Sequence, residues 1–286
     1  MILVKFNQFT AEVSGVKNFA GRIAVVTGAG SGIGRATAVA LAEQGATVAV
    51  TDVNPQSAGE TVSIISGRGL EARAFTLDVS DPGQILQVAQ QLQESMGVPA
   101  ILVNNAGIAV GGYFLDMSPE TWQRIIAINL MGVIHCSRAF IPAMVASGQT
   151  GHVVNISSML GYTQARGVSA YCTTKFGVLG FSESLRAELV DHGIGVSAIC
   201  PGMIRTNIIN SGVLESPDAD IEEKRKTIDA MYQKRNYPPE KVAQAIIGAI
   251  RRNRAVVPVA PEAWAAYYAR RWVPWLVRWQ ARKDIV

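Results

Sequence analysis

Short runs of apolar, largely β-branched residues recur along most of the chain. Each is followed by a longer stretch whose apolar positions return at helical spacing. The runs are Arg22 to Val26, Thr47 to Thr51, Glu71 to Leu77, Ala100 to Val103, His152 to Ile156 and Gly195 to Cys200. Such brief, mostly apolar segments suit strands of a parallel sheet covered on both faces. Between them, helical stretches cover Arg35 to Ala42, a segment opening at Ser80-Asp81-Pro82, a long one from Ser118-Pro119-Glu120, and one around Tyr171 that ends near Asp191. A polar residue followed by an early proline is a physical start signal, because it caps free N–H groups where proline has none to lose. The alternation predicts an α/β fold, a single Rossmann-type doubly wound parallel sheet flanked by helices, with a C-terminal helical extension. No shift in composition marks a second domain. The expected division is an arm over residues 1–20 with no assignable element, the sheet domain over 21–258, and the extension over 259–286.

The first strand breaks into Thr27-Gly28-Ala29-Gly30-Ser31-Gly32-Ile33-Gly34 and then a helix. Strand, glycine turn and helix in that order suit a dinucleotide. Gly28 permits the tight turn, Gly32 lets the backbone approach a pyrophosphate, and Gly34 lets helix and strand pack closely. The second strand ends in Asp52, whose carboxylate can accept both adenosine ribose hydroxyls and repels a 2′-phosphate, favouring NAD over NADP. Arg35 stands near and leaves room for some NADP tolerance. Asp78 and Val79 close the third strand, and Asn104-Asn105-Ala106-Gly107 the fourth, so these residues fall on the ligand-binding carboxyl edge of the sheet.

On a helix, Tyr171 and Lys175 share a face one turn apart. A free phenol is a poor base at neutrality, and a fixed ammonium nearby favours the phenolate. Ser158, delivered at the end of the fifth long strand, is placed to hold a carbonyl or hydroxyl oxygen while Tyr171 gives or takes its proton. Asn129, between Ile128 and Leu130, reads by position alone as a structural mid-helix asparagine.

Together these residues resemble the short-chain dehydrogenase/reductase family, in its ordinary-length branch with a Tyr-x-x-x-Lys centre. The match runs over about residues 20–258 and rests on Thr27 to Gly34, Asp78, Asn104 to Gly107, Asn129, Ser158, Tyr171, Lys175 and Pro201-Gly202. The resemblance implies an NAD(P)-binding catalytic domain in which Tyr171 is the general acid/base and Ser158 binds the reacting oxygen. Lys175 would hold the nicotinamide ribose and depress the Tyr171 pKa, and Asn129 would hold a relay water. It further implies that Ser31, Ile33, Ala106, Ile204 and Thr206 line the cofactor, Thr206 at the carboxamide. The expected activity is an NAD-dependent alcohol dehydrogenase or ketone reductase. The alternatives are an NADP(H)-linked carbonyl reductase and a non-catalytic NAD(H) sensor or scaffold.

The segments that set specificity in that family read here as Gly111 to Leu115, Met159 to Tyr162, and Met203 with Asn207 to Tyr237. No arginine cluster or acidic pair stands beside Ser158, although Arg166 is in its loop. An apolar pocket with one polar reaction point suits a lipophilic secondary alcohol or ketone, such as a sterol, retinoid-like or long-chain compound. Cys172 reads as a small packed residue and not a nucleophile.

Charge and composition narrow the partners. Eight Lys/Arg in residues 251–286 face only Glu262 and Asp284, a local net of +6 that leaves −2 for the rest. The body is therefore no nucleic-acid binder. The three cysteines form no Cys-x-x-Cys pair and suit a cytoplasmic setting, and the three histidines lack ligand spacing, so no metal is expected. The opening residues are too soon interrupted for a signal peptide, and no run of about 18 apolar residues predicts a membrane span. A homodimer or homotetramer is expected. Trp264, Tyr268, Trp272, Trp275 and Trp279 recur at helical spacing among arginines, with Pro274 as a kink. Such a stripe is most often buried, here against another subunit or over the active site. The alternative is an interfacial helix that makes the protein peripheral at an anionic membrane.

Overall fold

The computed structural model describes residues 15–208, 212–215 and 221–282. In chain order these form β1 (Ile23–Thr27), α1 (Gly32–Glu43), β2 (Thr47–Asp52), α2 (Pro55–Ser66), β3 (Ala72–Thr76), α3 (Pro82–Met96), β4 (Ile101–Asn104) and β5 (Val110–Gly111). Then follow α4 (Pro119–Ile126), α5 (Gly132–Ala146), β6 (Gly151–Ile156), α6 (Ser169–Leu189), β7 (Ile194–Pro201), β8 (Val213–Leu214) and α7 (Ile221–Arg235). The last are α8 (Pro239–Arg252), β9 (Val256–Val259), α9 (Pro261–Trp272) and α10 (Pro274–Gln280).

Seven strands form one parallel sheet in the order β3-β2-β1-β4-β6-β7-β9, and β5 pairs with β8 apart from it. The chain moves outward from β1 through β2 to β3, then returns to place β4 on the other flank of β1. That reversal opens a crevice at the carboxyl ends of β1 and β4, where the glycine turn and Asn105 lie. β4, β6 and β7 are buried throughout, which is why their sequences are apolar almost without a break. Asn54, Asp81 and Ser118 cap α2, α3 and α4, each followed by proline.

One core layer sets Leu41, Ile65, Ile246 and Ile250 against the sheet, and the opposite layer holds Leu92, Phe140, Met144 and Leu189. Within the expected N-terminal arm, residues 1–14 lie outside the described set. Val16 and Phe19 are core residues, and Lys17 donates to the Arg251 carbonyl at 2.8 Å. Val16 and Phe19 thus anchor residues 15–20 on the end of α8, while Lys17, Asn18 and Ala20 stay exposed. Residues 15–20 show no periodicity because they form no regular element.

The helical stretch Pro119–Ala146 joins α4 to α5 through a π-helical turn at Ala127–Met131, and by length and apolarity alone it matches a membrane span. Here it is a core helix: Ile125, Asn129, Val133, Cys136, Phe140 and Met144 are buried against the domain. A buried polar chain crosses beneath the site, with Asn104 donating to Ser137 and Asn155, and Asn155 donating to Ser182.

His152 is fully buried on β6 with Nε2 2.8 Å from the Ser197 hydroxyl. Burial, helped by Arg186, lowers its pKa to about 3. The unfolded chain binds that proton near pH 6.5 and the folded chain does not, so this contribution is complete above that value and falls as pH drops through the window between them. Acidification from about pH 7 to about pH 5 should remove about 2 kcal/mol through this residue. Urea melts at the two pH values should show His152→Gln losing visibly less.

Candidate active site

The glycine turn is built by close approach. A Cβ on Gly34 would lie 2.1 Å from the Gly28 carbonyl oxygen, and one on Gly28 would lie 2.8 Å from the Ala106 Cα. Gly28 and Gly32 also have positive φ, of 61° and 51°. Asn105 Nδ2 donates to the Thr27 and Gly28 carbonyls, while the Thr27 hydroxyl accepts from the N–H groups of Asn105 and Ala106. Asn105 therefore fixes the turn to β4 and shapes the crevice through that tie. Ser31, at the N-cap of α1, is exposed and makes no side-chain capping bond, unlike Asn54, Asp81 and Ser118. The N–H groups opening α1 are left facing the crevice, which fits a pyrophosphate. Thr206 stands across from it, 3.2 Å from where a Gly32 Cβ would be.

Asp52 holds the turn from the other side. Its Oδ2 accepts from the Gly30 N–H and its Oδ1 from the Asn54 N–H, both at 2.9 Å. Gly30 was not singled out by sequence, yet a Cβ there would sit 2.7 Å from Asp52 Oδ2. Arg35 is committed locally, pairing with Glu60 at 2.9 Å and donating to the Thr61 hydroxyl and the Gly30 carbonyl. Asp78 Oδ1 accepts from the Ser80 N–H and hydroxyl at the end of β3, and Val79 packs under Gly132. Ile204 is buried among the core residues. The part of the specificity segment at 209–211 and 216–220 lies outside the described residues.

Tyr171 and Lys175 lie on α6, and Ser158 follows β6. Ser158 Oγ accepts from the Leu160 N–H, capping the short turn Met159–Gly161, and stands near enough to the Tyr171 phenol to pull its pKa down. Lys175 is buried, with Nζ donating to the Ile156 carbonyl at 2.9 Å and standing 5.6 Å from the Tyr171 ring centre. Burial lowers the Lys175 pKa to about 8, so the ammonium still predominates at neutrality.

The expected depression of the Tyr171 pKa is not the net result here. Burial and the Tyr232 phenol push it above its ordinary value, against the opposite pull of Ser158. Asn129 accepts the Ile108 N–H at 2.8 Å and donates to the Ile108 carbonyl at 2.9 Å. A Gly107 Cβ would touch both Asn129 Oδ1, at 3.2 Å, and Lys175 Nζ, at 3.7 Å, so the three meet at one point. The flank of Tyr171 is apolar, made by Val110, Met117, Ile125 and Ala170 with Ile108 and Val213. Cys172 is buried and its thiol is pushed up by burial, as suits a packed residue.

The loops on the substrate side are fastened by carboxylates that the sequence did not single out. Glu215, beside β8, accepts from the Ser118 N–H and from the Ser118 and Thr121 hydroxyls at the start of α4. Glu262 on α9 accepts from the Met203 N–H at 3.0 Å and pairs with Arg235 of α7 at 2.8 Å. Burial opposes its charge, but those partners hold its carboxyl below the usual range. Gly202 is needed for this approach, since a Cβ there would lie 2.4 Å from Glu262 Oε1. The extension also covers the Ser158 loop, where the Tyr162 hydroxyl donates to the Ala263 carbonyl at 2.7 Å. Partners this far apart in sequence leave no local signal. Glu262→Ala should cost about 1–3 kcal/mol and lower Tm by several degrees, read by calorimetry, with Glu262→Gln intermediate.

A family model described as short chain dehydrogenase matches residues 22–215. "Probable oxidoreductase EphD" of Mycobacterium tuberculosis is 42% identical over 271 residues, covering 94% of this chain. The chain spans only 46% of that relative's length. "Epidermal retinol dehydrogenase 2" of Mus musculus is 36% identical over 230 residues, 77% of this chain and 74% of that protein. A short-chain dehydrogenase/reductase from Burkholderia phymatum in complex with NAD superposes with a TM-score of 0.85 at 26% identity, over 95% of this chain and 99% of that one. A metagenomic short-chain oxidoreductase in complex with NADP gives a TM-score of 0.67 at 30% identity, over 84% of this chain and 96% of that one.

Proposed function

The chain belongs to the short-chain dehydrogenase/reductase family, and from that premise we propose that it oxidises a lipophilic secondary alcohol to its ketone with NAD. The observation that carries this reading is the Tyr171 phenol near Ser158 and beside the buried Lys175, whose Nζ is 5.6 Å from the Tyr171 ring centre. NAD, when bound, supplies the hydride acceptor. Ser158 holds the substrate oxygen, and Tyr171 takes its proton as the hydride leaves the carbon. Lys175, held by the Ile156 carbonyl, supplies the positive charge that favours a phenolate and a donor for the nicotinamide ribose.

Two features support the finer choices. Asp52 ends β2 with a carboxylate, which would repel a 2′-phosphate, and Arg35 is already engaged by Glu60, Thr61 and Gly30, which supports NAD. The apolar surroundings of Tyr171, with Met159 and Leu160 following Ser158, suit a lipophilic substrate. The relative named as a retinol dehydrogenase points the same way.

The test is formation of reduced nicotinamide from NAD and from NADP across secondary alcohols of graded chain length and ring size. Turnover should climb with apolar size and favour NAD. Asp52→Asn, which keeps one acceptor oxygen, should shift the cofactor ratio toward NADP by about tenfold or more. Turnover confined to small polar alcohols would overturn the substrate reading, and an unmoved ratio would overturn the role of Asp52.

A further inference from the structure

The stripe of aromatic residues near the C-terminus does not bury itself. The helix breaks at Val273 ahead of Pro274, and the inward positions of α9 and α10 are filled by Ala263 and Val277, which are buried. Tyr267 packs edge-on to Tyr162. The stripe lies on the other side: Trp272 is 74% exposed and Trp275 68%, with Trp264, Tyr268, Leu276 and Trp279 also open to solvent. Trp264 stacks on Tyr268, so part of this surface is preformed.

Charge narrows what can cover it. Residues 263–282 carry Arg270, Arg271, Arg278 and Arg282 and no carboxylate. Arg271, Arg278 and Arg282 are exposed among the tryptophans. Of the two acids that flank this stretch, Glu262 is turned inward onto Arg235 and Met203, and Asp284 lies outside the described residues. A second copy of this face would oppose arginine to arginine. An anionic phospholipid surface offers phosphates to the guanidinium groups and a headgroup boundary where tryptophan rings are favoured.

A second exposed apolar group lies beside the first. Leu115 is 90% exposed and Phe114 67%, in the loop after β5. Arg166 joins the two regions, with its guanidinium 5.5 Å from the Tyr113 ring centre and Nη1 donating to the Arg282 carbonyl at 3.2 Å. Arg166 itself belongs to the loop that begins at Ser158. Both apolar groups therefore flank the loop that carries the reaction centre, on the substrate side of the sheet.

We propose that this face, formed by α9, α10 and the Phe114-Leu115 tip, seats the protein on an anionic phospholipid surface, so that its substrate enters from the lipid. The contact rests on the exposed face and its charge; the entry of substrate rests on the lipophilic reading above. A water-insoluble alcohol would then reach Tyr171 without crossing bulk solvent.

Co-sedimentation of the full chain with vesicles of phosphatidylcholine, with and without phosphatidylglycerol, tests it. The protein should bind the anionic vesicles, bind the neutral ones weakly, and be released by salt. Trp272→Ser with Trp275→Ser, and separately Arg271→Glu with Arg278→Glu, should each cut the bound fraction about tenfold or more. Both variants should keep wild-type circular dichroism and wild-type turnover of a short, water-soluble secondary alcohol. Turnover of a long-chain alcohol carried in the vesicles should fall with binding. Wild-type protein that stays in the supernatant, or variants that bind as well as wild type, would overturn the proposal. A dimer lost in the Trp variant by light scattering, without vesicle binding by the wild type, would assign the face to a second copy and also overturn it. Vesicle binding that obeys the expected pattern while no alcohol is oxidised would support the contact and sink the dehydrogenase reading alone.

Discussion

Tyr171→Phe should lower kcat for alcohol oxidation by about a thousandfold, within the range that a positioned acid/base contributes, while leaving NADH affinity within about twofold. The substitution removes one oxygen and keeps the ring that packs beside Val110, Met117, Ile125 and Ala170. A loss of activity would therefore not be a loss of fold, and an unchanged thermal melt would confirm that. The same residue sets the expected pH profile. Burial and Tyr232 hold the phenol above its ordinary value, with Ser158 pulling the other way. If oxidation requires the phenolate, its fraction and hence kcat/KM should rise about tenfold per pH unit below that ionisation. The slope should disappear in the phenylalanine variant. Retention of a tenth or more of wild-type kcat would remove Tyr171 from the chemistry.

Most of the sheet was legible because its inner strands are buried on both faces, unlike the largely exposed edge strand β3. Val48-Ala49-Val50 and Ile101-Leu102-Val103 have no exposed side to interrupt the apolar run, and a run bounded by glycine or asparagine leaves little choice of element. Gly28, Gly32, Gly34 and Ser158 stand out for a related reason, since each follows closely on a strand end, whereas Tyr171 and Lys175 stand out by their one-turn spacing on a helix. What stayed hidden depends on contacts between distant segments. β5 and β8 are two residues each, too short for any periodicity, and exist because Gly112 and Gly212 let two loops meet. Glu262 and Glu215 act on partners on other elements. Asn155 and Ser182 look like ordinary strand and helix residues until the fold stacks them under Asn104. The aromatic stripe shows the limit from the other direction. Its spacing correctly placed the rings on one helical face, but periodicity says only that a face exists. The structure turns that face outward, so within this chain it is not packed over the active site.

Asn129→Ala should destabilise the domain by about 1–3 kcal/mol, because it removes a fully buried carboxamide that pairs with both the N–H and the carbonyl of the part-buried Ile108. Asn129 is fully buried in the π-helical turn between α4 and α5, and its carboxamide meets both the N–H and the carbonyl of Ile108. That pairing mimics a backbone ladder and secures the segment after β4, with Gly107 pressed against Asn129 and Lys175. Position alone made Asn129 structural and family resemblance made it a holder of relay water; the observed bonds establish the first role and are compatible with the second. Asn129→Asp separates the two. A carboxylate still accepts from the Ile108 N–H but cannot donate to the Ile108 carbonyl, and it brings a charge near the Lys175 ammonium. Denaturant melts should therefore show Asp retaining part of the stability that Ala loses, at a pH where the carboxylate is ionised and Lys175 stays protonated. If Asn129 served only the fold, activity per folded molecule would be nearly unchanged in whichever variant folds. A loss of kcat of about a hundredfold with intact NADH binding, in protein shown to be folded, is the outcome expected of a proton relay.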